Sequence, residues 1–166
     1  MPYYEKKDIM HNLSHIDRIL KLADEMCSRY PQADKQTVVC GAYFHGMTGK
    51  HDDRIEFFLS SSGLNQRSIR NIITAACESL INQEPVSLEG KVLHDAHLLE
   101  GGRTFLITKS LVTGTQRGQS LYETIDFIER NILGRGKVCL QENKKAFAEK
   151  QAFAENFILE LKAGLL

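Results

Sequence analysis

Six histidines, His11, His15, His45, His51, His94 and His97, are the residues of this chain best suited to hold a metal ion or to move a proton near neutral pH. Their placement separates them. His15 lies near the apolar face of a long helical segment and His45 ends a second, more apolar one. His94, Asp95 and His97 sit on a third segment, just before Gly101-Gly102. A polar group at the end of a buried helix must find a partner. A metal ion or an anion is one such partner, and imidazole with carboxylate is a sound donor set for a divalent metal. The same placement is also met by scattered structural histidines, each hydrogen-bonded on its own. The cysteines do not join the set. Cys27, Cys40, Cys77 and Cys139 are far apart and form no CxxC pair. They read as buried free thiols in a reducing compartment, which predicts a cytoplasmic protein, with a zinc cluster or disulfides as the alternative.

The elements that must position these residues are helical. Leu13, Ile16, Ile19, Leu20, Ala23, Met26 and Cys27 mark one apolar face of a helix over about 7–30, ended by Pro31. Asp34 can cap a second helix carrying Val38, Val39, Cys40, Ala42, Tyr43 and Phe44. That helix is apolar nearly all round, so it is expected to be central and buried. A third holds Ile55, Phe58 and Leu59 behind Asp52 and Asp53, and a fourth holds Ile69, Ile72, Ile73, Ala76 and Leu80. Ser87 can cap a fifth, with Leu88, Val92, Leu93, Ala96 and Leu99 inward. Leu121, Ile125, Ile128 and Ile132, then Phe147, Ala154, Ile158 and Leu161, repeat the spacing towards the end. Thr104 to Val112 favours β structure in composition but is read as helix. The expected class is all-α: one domain over 1–166, a bundle of about seven helices.

Composition sets the outer limits. A chain of 166 residues, 42% hydrophobic, is enough for one sizeable core. Lysine plus arginine and aspartate plus glutamate both number 21, and a net charge of zero argues against a protein whose task is to coat nucleic acid. The longest apolar stretch, Val38 to Phe44, is far below the about 20 residues of a membrane span. The polar start MPYYEKKD does not read as a secretory signal peptide.

Three segments, in order, resemble the HD-domain phosphohydrolase superfamily, and within it the small bacterial single-domain proteins. DIMHNLSHIDRILKLA, Asp8 to Ala23, is similar to the family's first histidine helix, with the ligand at His15 and the following arginine at Arg18. VVCGAYFHGM, Val38 to Met47, matches an apolar run that in the family ends His-Asp. PVSLEGKVLHDAHLLEGGRTF, Pro85 to Phe105, matches a helix ending Asp-Ala-Asp and a turn leading into Arg-Thr-Phe. The resemblance implies a divalent metal (Mn, Fe, Ni, Zn or Mg) held by His15, His45 and Asp95, with Arg18 and Lys50 meeting phosphate. The metal would polarise a phosphate oxygen and activate water.

The chain departs from the family at two of these positions. Gly46 stands where the family has the aspartate of His-Asp, and His97 where it has the second aspartate of Asp-Ala-Asp. His97 lies two residues from Asp95, roughly 200° round a helix, and is not expected in the same site. His94, about 100° round, is the better outer partner. Asp52, of the late His51-Asp52 pair, or Asp53 would have to fold back to restore the missing carboxylate. The resemblance therefore implies a metal-dependent phosphohydrolase acting on a nucleotide or other small phosphate ester, or alternatively an inactive HD-like module that binds a ligand or protein. The expected partner is a small phosphate-containing ligand, with no membrane or nucleic acid, and the protein is expected to be a monomer or homodimer.

Overall fold

Short polar side chains decide where the helices begin. Asn12, Asp34, Asn65, Ser87 and Ser120 each accept a backbone N–H from the first turn that follows, satisfying a donor that the helix itself leaves open. At Ser120 the reciprocal bond from Glu123 completes a capping box. The computed structural model describes residues 2–5 and 7–165. Among them the chain forms α1 (Pro2–Glu5), α2 (Leu13–Cys27), α3 (Lys35–Phe44), α4 (Asp52–Ser61), α5 (Gln66–Glu78), α6 (Leu88–Leu99), α7 (Phe105–Gln116), α8 (Leu121–Asn131) and α9 (Lys144–Leu165). A 3₁₀ turn, Gln141–Asn143, precedes α9, and there is no strand among the described residues. The all-α class holds, including α7 over the β-favouring Thr104 to Val112 stretch.

Two details differ from expectation. The first long helix starts at Leu13, because Asp8 accepts the Met10 amide and the His11 ring at 2.9 and 2.8 Å and holds that segment in turns. The most enclosed helix is α6, with seven buried residues from Gly90 to Leu98. On α3, by contrast, Val39 is 42% exposed.

Helix α6 sits among α2, α3, α5 and α9. Its close approach to α3 depends on Gly41, where a Cβ would fall 2.8 Å from Leu93 Cδ1. Ile16, Ile19, Ala23 and Met26 of α2 pack with Val38, Val92, Leu93 and Ala96 in the main core. Phe44, Ile55, Leu59, Ile69 and Ile72 form a second cluster under α4 and α5. The last third of the chain has its own core, where Ile107, Ile125 and Ile128 meet Ala154 and Ile158 of α9. There α7 and α8 touch at Gly114, where a Cβ would lie 2.3 Å from Thr124 Oγ1. The buried face of α9 is thus covered by its own chain. No helix among the described residues is long and apolar enough to cross a membrane, and all four cysteines are free thiols.

Candidate metal centre

The packing of α2, α3 and α6 brings together three imidazoles that are far apart in sequence. His15 comes from the first turn of α2, His45 follows the last residue of α3, and His97 lies in the last turn of α6. His15 and His45 are 2% and 8% exposed. One ring nitrogen from each of the three lies within 4.8 Å of the other two. The Nε2 atoms of His15 and His45 are 3.1 Å apart. Two nitrogens each about 2.1 Å from one ion are separated by about 3.0 Å at a right angle and about 3.4 Å at the tetrahedral angle, so that spacing suits a shared ion.

Hydrogen bonds on the far side of each ring decide which nitrogen is free. His15 Nδ1 is 2.8 Å from Glu100 Oε1, and Glu100 also accepts from Arg18 Nε at 2.7 Å and Lys109 Nζ at 2.7 Å. Burial pushes the Glu100 carboxyl up, but the His15 hydrogen bond and the Lys109 charge outweigh it and hold the group well below the usual carboxylate range. A carboxylate can only accept, so His15 carries its proton on Nδ1. Lys109 Nζ lies 3.5 Å from the same nitrogen, a longer contact that does not compete. His97 Nδ1 is 3.1 Å from the Ser79 carbonyl oxygen, which also can only accept. The Ser79 hydroxyl donates to Ala76 O at 2.7 Å and so accepts from His45 Nδ1 at 3.3 Å. These bonds put the proton of each ring on Nδ1; the Nε2 atoms of His15 and His45 face each other, and His97 brings a third ring nitrogen within reach, a set that could hold a metal ion.

Burial also keeps these rings neutral. It pushes His15 down, His45 down to about 3 and His97 well down from the ordinary value near 6.5. A group with a depressed folded-state pKa stabilises the fold above its unfolded pKa and loses that contribution as pH falls. The metal-free protein is expected to lose stability steadily between about pH 6.5 and about pH 3. Denaturant midpoints measured across that range should fall with pH, and a flat profile would contradict buried neutral histidines.

Asp95, expected as the third ligand, is not part of this cluster. It is fully buried, and its carboxylate accepts the Cys139 amide at 2.7 Å, the Leu140 amide at 2.9 Å and Asn143 Nδ2 at 2.9 Å. It ties the segment before the 3₁₀ turn to the back of α6. The 200° separation between Asp95 and His97 is real, but His97 is the residue that faces His15. His94 turns to the Glu78 carbonyl at 3.2 Å and is not an outer partner. Asp52 does not fold back, since its Oδ1 accepts the Gly49 amide at 2.8 Å.

Arg18 is committed to Glu100 and to Ser14 Oγ at 2.9 Å, so it supports His15 through Glu100. Lys50 is exposed on the turn between α3 and α4 and lines neither cavity described below. Glu100, Lys109 and Ser79 were missed by sequence reasoning. Glu100 had a signal, since it follows His97 by one helical turn; Lys109 and Ser79 had none.

Of two cavities nearby, one reaches the cluster through His97. This one, of about 290 Å³, opens from His97, Glu100 and Lys109 along α7. The other, of about 510 Å³, lies between α2 and α9 and is lined by Arg18, Lys21, Arg103 and Lys150 together with Glu25 and Glu149. Lys150 lines both. It is 3% exposed, its ammonium donates to the Glu100 carbonyl at 2.6 Å, and burial brings its pKa down to about 8.

No protein-family model and no curated protein matches the chain. Solved structures do. YpgQ of Bacillus subtilis in complex with ADP superposes with a TM-score of 0.75 at 17% identity, covering 98% of this chain and 94% of that one. A second structure of Bacillus subtilis YpgQ gives 0.72 at 18% identity, over 90% and 86%. The Lin1889 protein of Listeria innocua gives 0.73 at 21% identity, over 93% of this chain and 88% of that one. At such identities the likeness establishes the shared all-helical fold.

Proposed function

We propose that this protein is a metal-dependent phosphohydrolase of the HD type, acting on a nucleotide or another small phosphate ester, with its divalent ion held by His15, His45 and His97. The observation that carries this reading is the hydrogen bonding of the rings, with each Nδ1 turned to Glu100 or Ser79 and one nitrogen of each ring close enough to share an ion. Three neutral imidazoles suit zinc, nickel, iron or, less well, manganese, whereas magnesium prefers oxygen ligands. Bound there with positions left open, such an ion supplies Lewis-acid polarisation of a phosphoryl oxygen and a nucleophile at neutral pH.

The chain's own residues account for the rest. Glu100 and Ser79 hold the three rings in one tautomer and orientation. No ligand carboxylate offsets the ion's charge, which favours an anionic substrate. Lys109, reaching Glu100 from the cavity side, places a cation where a phosphate would enter. Arg117 and Lys150 add two more along the same cavity. YpgQ, which shares the fold, was crystallised with ADP. The loss of a carboxylate at Gly46 favours a second reading, a module that binds without cleaving.

The test is metal content after purification without chelator, followed by phosphate release from a panel of nucleotides and phosphate esters. About one equivalent of a transition metal, and release that stops with chelator and returns with metal, is the expected result. Bound metal and nucleotide without release would favour the binding module, and no metal at all would end the proposal. A Gly46→Asp arm probes the missing carboxylate. Gly46 has no positive φ, and a Cβ there would rest 3.8 Å from the Tyr3 ring, an ordinary contact. Metal affinity in that variant should rise by roughly 10–100-fold.

A further inference from the structure

The cavity along α7 holds an unexplained polar atom. Four residues of α7 carry hydroxyls: Thr108, Ser110, Thr113 and Thr115. Three of them donate to the carbonyl four residues earlier, at 3.3, 2.8 and 3.0 Å, as helical serine and threonine commonly do. Thr113, the buried one at 9% exposed, does not. Its Oγ1 is the single buried side-chain polar atom without a hydrogen-bond partner among the described residues. A buried hydroxyl left unpaired is costly, so it needs a reason.

Its surroundings supply one. Lys109, Thr113 and Arg117 are spaced four apart, share one face of α7, and all line the cavity. Lys109 stands at the metal-centre end, and Thr113 is one turn, about 6 Å, further in. Phe127 and Ile132, from α8 and its C-terminal end, give the cavity an apolar and aromatic wall, while Phe105 and Leu106 lie about two turns of α7 back from Thr113, past Lys109. A ligand that fits has an anion at one end and, about one helical turn away, a flat apolar body with a polar edge.

We propose that this cavity seats the base of a nucleoside 5′-phosphate, with Thr113 Oγ1 hydrogen-bonded to the polar edge of the base, so that Thr113 sets selectivity for the base. The hydroxyl both donates and accepts, so it can meet a ring nitrogen, a carbonyl or an amino group. The phosphate lies towards Lys109 and His97. The proposal rests on the phosphate-ester reading for the kind of ligand, and on neither metal nor catalysis.

The experiment is calorimetric titration of the protein as purified with AMP, GMP, CMP, UMP and ribose 5-phosphate, which keeps the sugar and phosphate and lacks the base. At least one nucleotide is expected to bind ten times or more tighter than ribose 5-phosphate. Thr113→Val keeps the shape and removes the hydroxyl. It should cut that preference about tenfold, leave ribose 5-phosphate binding unchanged, and leave the free protein melting no lower than wild type. Thr113→Ser should keep the preference.

Nucleotides binding no better than ribose 5-phosphate, or not at all, would overturn the proposal. So would a preference that Thr113→Val leaves intact, which would mean the hydroxyl holds only a water molecule. Binding is read directly, so a protein that selects a base yet releases no phosphate would refute hydrolysis while upholding the site.

Discussion

Replacing His97 with alanine is expected to abolish tight metal binding while leaving the fold nearly intact. Three imidazoles are the minimum that hold a transition metal on one face with positions left open. Removing one leaves His15 and His45, a pair without a third donor from this cluster. The loss should exceed the 10–100-fold typical of removing an outer hydrogen-bond partner. The structural cost is small, because the ring borders a cavity and makes one hydrogen bond, to the Ser79 carbonyl. That bond is worth about 1 kcal/mol. Zinc titration with a competing chelator, beside a thermal melt, separates the two effects. If His97→Ala binds metal as wild type does, the three-histidine centre is wrong.

Asp95 should give the reverse pattern. Its carboxylate receives three N–H groups in a fully buried setting, from Cys139, Leu140 and Asn143. Asp95→Ala strands all three donors and frees the segment between α8 and α9 from α6. A loss of about 3–5 kcal/mol is expected, at the severe end for one substitution. Asp95→Asn keeps the size but turns an amide NH₂ towards one donor, and should cost about 2 kcal/mol. Enough folded protein then remains for metal titration, and its affinity should stay within about threefold of wild type. A large loss of metal affinity in folded Asp95→Asn, with stability unchanged, would return Asp95 to the ligand set. Together the two variants separate the roles of residues two apart on one helix.

Sequence by itself determined the helices. Asp34 and Ser87 act as caps where the pattern places them, and the spacing from Ile16 to Cys27 describes the buried face of α2. These features were legible because capping bonds and amphipathic periods are local, involving atoms within a turn or two. His15 and His45 stood out for the same reason, as polar groups at the edges of apolar runs.

The choice between Asp95 and His97 was not local. On an amphipathic helix the apolar stripe tells which way a polar residue faces, but α6 is buried nearly all round, and Asp95 and His97 flank its apolar stripe on opposite edges. Which of the two edges meets the other histidines therefore has no signature in the sequence. It is set by how α2, α3 and α5 pack around it, including the contact of Leu93 with Gly41. That packing turned His97 to the histidines and Asp95 to the loop behind. It also decided what surrounds the site. Glu100 and Lys109 reach His15 from 85 and 94 residues along the chain, and Thr113 was left without a partner because α7 lies against a cavity. Contacts over such separations exist only once the helices have been assembled, and no period or motif encodes them.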